Sequence, residues 1–166
     1  MKPIAPLIAL ALAAAAPAAV AGDAKTANEV FGDWVLHCTK TSKGEEACAL
    51  HQRIMAADTK LPVAAFALAR SKEKQDLRFA AILPLGLDIP AGVAGRAGDL
   101  PLTLTIQTCV KRGCIASTMV DDKLLAALHG NATLSVTFHM RSVAEAVTVP
   151  VSINGLDAGL KALDGK

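Results

Sequence analysis

Cys109-Val110-Lys111-Arg112-Gly113-Cys114 sets two cysteines at the ends of a short basic turn. Before it, Leu102, Leu104 and Ile106 alternate with Thr103, Thr105 and Gln107, the period-two pattern of a half-buried strand. After it, residues 113–120 pair back. A hairpin with a cysteine at each end of its turn is therefore expected. A second such unit lies upstream, where residues 29–38 and 47–56 read as strands around a connection holding Ser42, Lys43 and Gly44, bracketed by Cys38 and Cys48.

Working outward from these hairpins, more short strands follow. Residues 63–70 and 77–83 are apolar runs separated by the charged turn 71–75. Residues 84–92 contain two prolines and two glycines, which confines them to an edge or a bulged crossing, and 93–101 reads as an exposed loop. Residues 131–140 and 146–154 alternate again. Asp121 and Asp122 before a leucine-rich run, with Gly130 after it, are start and stop signals for a short helix. A last amphipathic segment, 156–163, closes the chain. Many short strands with turn signals between them indicate an antiparallel sandwich rather than a βαβ sheet, with one or two short helices.

The N-terminus belongs to targeting. Lys2 precedes an apolar, alanine-rich run that ends Ala19-Val20-Ala21, a small-x-small cleavage pattern, so residues 1–21 read as a signal peptide. Residues 22–166 then form a single domain, opening with a loose polar tail, 22–28. Gly22 follows the predicted cut, with no cysteine there to take a lipid. No second run of eighteen apolar residues follows, so no transmembrane segment is expected in the mature chain. The formal charge is +2, of which Lys2 contributes one, and this gives no electrostatic footprint for nucleic acid. Five aromatics and no tyrosine weaken the case for a membrane β-barrel, which carries aromatic girdles.

Export implies an oxidising compartment, where four cysteines favour disulfides over metal ligation. Three connectivities are compatible with the sequence. The expected one is local, Cys38–Cys48 and Cys109–Cys114, because turn-like residues separate each pair. His37-Cys38 and Cys48-x-x-His51 could otherwise form a zinc site, but joined thiols supply no thiolate, and strand alternation puts His37 and Cys38 on opposite faces. Lys111 and Arg112 could lower a thiol pKa at Cys109 or Cys114, yet four residues separate the pair and the βαβ context of thioredoxin-like motifs is missing. No nucleophile elbow, zincin helix or phosphate-cradling glycine loop occurs. Asn131-Ala132-Thr133 fits a glycosylation pattern. Asp33 reads as starting or buttressing a strand.

Taken together, Phe31-Gly32-Asp33-Trp34, Cys38 and Cys48, Leu83-Pro84-Leu85-Gly86-Leu87, Cys109 to Gly113-Cys114-Ile115-Ala116, and Val149-Pro150-Val151-Ser152-Ile153-Asn154-Gly155-Leu156 resemble the invasion-associated locus B family of proteobacterial exported proteins. The stretches appear in the family's order across nearly the whole mature chain. Leu156 departs from it, where the family often has Phe. The resemblance implies an all-β, immunoglobulin-like antiparallel sandwich in the periplasm, with outer-membrane association or secretion as further locations. It implies no catalytic residue, cofactor or metal.

The functional expectation is a non-enzymatic envelope protein that binds another envelope protein or a host-surface component. The alternatives are a periplasmic thiol–disulfide or chaperone-like factor using Cys109 and Cys114, and a metal or small-ligand binder around His37 and His51. Phe31, Trp34, Lys111 and Arg112 are the candidate partner contacts. For Trp34 this competes with a core role, the usual place of a large aromatic.

Overall fold

The computed structural model describes residues 28–42, 44–71, 75–130 and 133–166. The signal-peptide reading, most of the polar tail, parts of the 39–46 and 71–75 turns, and Asn131 and Ala132 of the glycosylation pattern lie outside the described residues.

Ten strands and two helices follow one another as β1 (Glu29–Phe31), β2 (Trp34–Lys40), β3 (Glu46–Met55), β4 (Pro62–Arg70), β5 (Leu77–Leu83), β6 (Val93–Ala97), β7 (Leu100–Val110), β8 (Gly113–Met119), α1 (Asp122–His129), β9 (Leu134–Phe138), β10 (Val147–Val151) and α2 (Leu156–Asp164). The all-β expectation holds, and both helices fall where the capping and periodicity signals put them. Asp121 caps α1, its Oδ1 accepting the Leu124 N–H at 2.8 Å.

Two strand assignments change. Residues 29–38 are not one strand, because Gly32, at φ +55°, and Asp33 form a tight reversal that folds β1 back on β2 with Phe31 opposite Trp34. Residues 93–101 are not a loop. Val93, Gly95 and Ala97 are buried in alternation with exposed Ala94 and Arg96, and β6 pairs on both sides. Its alanines and glycine carry little β-propensity, so the strand exists because β7 and β9 pair with it.

The larger correction concerns architecture. The immunoglobulin-like sandwich requires two separate sheets, whereas all ten strands join one antiparallel sheet in the order β1-β2-β3-β4-β5-β8-β7-β6-β9-β10. The sheet curls through β7. Leu100–Leu104 of this strand pair with β6, and Thr105–Val110 pair with β8, with a register irregularity between Ile106 and Thr108. One extra residue at such a point bends the strand and lets it serve two sheet directions. Pro101 lies in the half of β7 that has no β8 neighbour, so its missing N–H breaks no ladder on that side.

The concave face of the half-barrel carries one core. Trp34, Phe66, Phe79 and Phe138 are its largest fully buried side chains, joined by Leu36, Leu50, Leu68, Leu83, Leu104, Val136 and Leu156. Helix α2 packs on the β1–β3 end, where Gly159 lets the helix approach closely: a Cβ there would sit 2.8 Å from Leu50 Cδ2.

Candidate functional site

The stretches that carry the family resemblance at the two ends of the chain meet in space. Trp34 Nε1–H donates to the Ser152 carbonyl at 2.8 Å, and Gln52 brackets the same residue, donating from Nε2 to its carbonyl and accepting its N–H on Oε1 at 2.9 Å. Ser152 Oγ–H donates to Asp33 Oδ2 at 2.6 Å, and the Asp33 N–H donates to the Asn154 carbonyl at 3.2 Å. Gln52 is one of two buried polar side chains among the described residues, and it is fully used here. Its desolvation is offset by two hydrogen bonds that no other group at that position supplies. Gly155, at φ +80°, touches the Phe31 carbonyl so closely that a Cβ would lie 2.2 Å from its oxygen. This cluster is a seam that closes the curled sheet. Asp33 buttresses the strand start, as the sequence suggested.

Trp34 is therefore corrected as a contact candidate. Its side chain is fully buried, anchoring the core, and presents nothing to a partner. Phe31 is half-buried against the same core. Lys111 and Arg112 are exposed at the β7–β8 turn, beside the exposed Val110.

Both disulfides are local. Cys38 faces Cys48 across β2 and β3, and Cys109 faces Cys114 across β7 and β8, with Cα separations of 4.0 and 3.9 Å. Each bridge joins directly opposed residues, so alternation and hairpin register alone suffice to bring the sulfurs together. Cys114 is buried and Cys109 exposed. Among the described residues, the one trio of ligand-type side chains close enough to share an ion is Cys38, Glu46 and Cys48. Its sulfurs are bonded to each other, so the mixed cysteine–histidine zinc site does not form.

His37 and His51 stand on the opposite face of the same strands from the Cys38–Cys48 bridge, as alternation requires. They are brought together diagonally across β2 and β3, ring centroids 6.4 Å apart, edge to face. Burial, then the neighbouring His37, then Arg53 push the His51 pKa below its ordinary value. Next to them the sheet opens. The β3–β4 ladder ends at Leu50 and Leu68, while β3 stays paired to β2 as far as Glu46 and Ala69 and Arg70 pair only with β5. A concavity of about 770 Å³ occupies this divergence, lined by both histidines, Ala49, Ala69, Arg70 and Asp164 among others.

A further surface was not legible in the sequence. The 84–92 and 139–146 loops are tied by the Leu87–Met140 bridge and by the Asp88 N–H to His139 and Arg141 N–H to Gly86 carbonyl bonds, both 2.9 Å. They carry Leu85, Ile89 and Val143, each more than half exposed. The proline and glycine pattern of 84–92 signalled an edge or a bulged crossing, but nothing signalled that Leu85 and Ile89 would face outward on a segment tied to the one that carries Val143.

A profile of the Invasion associated locus B (IalB) protein family matches residues 34–164. The chain belongs to the invasion associated locus B family. Two curated relatives named Invasion protein B homolog, from Brucella abortus strain 2308 and biovar 1 strain 9-941, are each 30% identical over 153 residues, covering 92% of this chain and 87% of the relative. The crystal structure of invasion associated protein B from Bartonella henselae superimposes with a TM-score of 0.71 at 22% identity, covering 84% of this chain and 95% of that one. That likeness establishes a shared fold.

Proposed function

We propose that this locus B family member is an exported binding protein of the bacterial envelope, without a reaction of its own, that contacts an envelope or host-surface protein. The observation that carries the reading is family membership across residues 34–164, together with relatives named as invasion protein homologs. The signal-peptide pattern of residues 1–21 supports export to the periplasm, with peripheral outer-membrane association or release as the later steps. No helix among the described residues is long and apolar enough to cross a membrane.

The contact end is the loop pair bearing Leu85, Ile89 and Val143. Side chains of this kind bury well against a partner, and the cross-loop bonds hold them in place before binding, which lowers the ordering cost. The Cys109–Cys114 pair acts in this reading as a staple of the β7–β8 hairpin and not as a redox couple.

Crosslinking in intact cells followed by affinity capture, with fractionation of periplasm, outer membrane and medium, tests the proposal. The Leu85→Ser/Ile89→Ser/Val143→Ser variant should lose the captured partner while melting within a few degrees of the parent protein. Retention of that partner by the variant would place the contact elsewhere, with Lys111→Glu/Arg112→Glu as the next surface to test. Recovery of the protein only from the cytoplasm would sink the export reading.

A further inference from the structure

We propose that His37 and His51 form a two-imidazole site for a borderline divalent metal ion, copper or zinc, on the convex face of the β2–β3 hairpin. The proposal is independent of the envelope-binding reading. The two residues sit on adjacent antiparallel strands, in diagonal register and on one face, with ring centroids 6.4 Å apart. An imidazole nitrogen lies about 2.0–2.1 Å from zinc, so two nitrogens on one ion span at most about 4 Å. Centroids 6.4 Å apart leave a gap of about that size once the radius of each ring is taken off and the nitrogens turn toward one another.

The surroundings prepare both rings as ligands. His37 Nδ1 lies 2.6 Å from Asn28 Oδ1, and a carbonyl oxygen only accepts, so Nδ1 carries the proton. In the neutral ring this leaves the Nε2 lone pair free. A ligating histidine usually has this arrangement, one nitrogen on the metal and the other N–H held by an oxygen. His51 is half-buried on the neighbouring strand, its ring edge to face with that of His37.

The site also has room. Both rings line the concavity left by the divergence of β3 and β4, and Ala49 and Ala69 are among its other lining residues, small side chains that leave space for an ion and the waters completing its shell. Imidazole suits copper and zinc, and copper binds nitrogen ligands most tightly of the first-row divalent ions. Arg53, two residues beyond His51 on the same face, opposes a cation there, as do Arg70 and Lys166 in the lining, while Glu46 and Asp164 in the same lining favour one. The same cross-strand register that buries the Cys38–Cys48 bridge inside thus presents the two imidazoles outside.

The test titrates Cu²⁺ into protein purified without a histidine tag, read by calorimetry and by electron paramagnetic resonance. One ion per chain with nitrogen couplings from two imidazoles is expected. His37→Ala and His51→Ala should each weaken binding by about tenfold or more, with unchanged melting in the absence of metal. His129→Ala and His139→Ala should leave binding intact. Asn28→Asp should tighten it, because a carboxylate accepting from Nδ1 raises the basicity of Nε2, and Arg53→Gln should tighten it by removing a like charge. Equal copper uptake by the parent protein and by the His37→Ala/His51→Ala double variant would overturn the proposal. So would loss of uptake on His129→Ala or His139→Ala instead.

Discussion

The curled sheet turns back on itself in two ways, at a corner and at a seam. At the corner, a single strand does the work: β7 pairs with β6 through its first half and β8 through its second, so the bend is built into a continuous backbone ladder. At the seam, residues a hundred or more positions apart are joined, with the Trp34 and Gln52 side chains holding Ser152, the Asp33 carboxylate holding Ser152 and the Asp33 N–H holding the Asn154 carbonyl. The corner is a local event that a long alternating strand can make almost by itself. The seam depends most on Trp34, Gln52 and Ser152, since removing one leaves a part-buried donor or acceptor unpaired.

This difference predicts where the fold is fragile. Gly155→Ala should be the most damaging single change, because it combines a left-handed backbone with a Cβ 2.2 Å from the Phe31 oxygen. We expect a loss above about 4 kcal/mol, or no folded protein, in denaturant unfolding. A loss under about 1 kcal/mol would mean that the β1–β2 turn can move away and that the seam is loose.

Next, Trp34→Ala should cost about 3–5 kcal/mol, mostly by opening a cavity in the core. Trp34→Phe separates the hydrogen bond from the packing. Ser152 keeps the Gln52 amide at 3.1 Å, so this change should cost clearly less than the alanine one. Equal losses would assign the residue's whole contribution to its bond with Ser152.

At the two disulfide hairpins, one at the corner and one on β2–β3, the expected effects are smaller. Replacing Cys109 and Cys114 together by alanine should cost about 2 kcal/mol, and the same change at Cys38 and Cys48, which closes a longer loop, about 3 kcal/mol. Both variants should keep the native circular dichroism spectrum, because the ladders persist without the bridges. Unfolding of the Cys109/Cys114 variant under native conditions would show that the corner depends on its staple.

The smallest effect is a pH dependence on the convex face of the β2–β3 hairpin, where β3 carries His51. Its pKa is lowered on folding, so the unfolded chain binds the proton more tightly. Stability is then full above the ordinary histidine pKa, near about 6.5, and declines as pH falls through that value toward the lower folded one. Comparing melting at pH 7.5 and pH 5.5 should show a smaller decline in His51→Gln than in the parent. An unchanged slope would put the dependence on other groups.

Much of the fold was readable because its signals are local. The alternation of 102–109, the acidic cap before Leu124 and the turn residues between each cysteine pair act over a few positions, and hairpin register then carries each sulfur to its partner. Strand β6 was not readable, since Ala94, Gly95 and Ala97 favour a strand only when neighbours pair with both edges. Of the candidate contacts, Lys111 and Arg112 lie exposed as expected of a basic turn. Trp34 was ambiguous until its burial was known, because an aromatic beside a turn serves a core or a surface equally well. Leu85, Ile89 and Val143 could not be singled out, because their exposure depends on two loops far apart in sequence being tied together.

By itself, then, the sequence determined the β class, the two helices and, through a handful of ordered motifs, the family, while the local pairing of the cysteines was one of three open connectivities until the structure showed it. These follow from periodicity, from turn chemistry and from side chains a few residues apart. Only the tertiary structure decided that the strands form one curled sheet rather than two stacked ones. The choice rests on how β7 bends and on which distant residues satisfy the buried Gln52 and the indole N–H of Trp34. A strand's alternation says that one face is buried, and it is silent about what buries it.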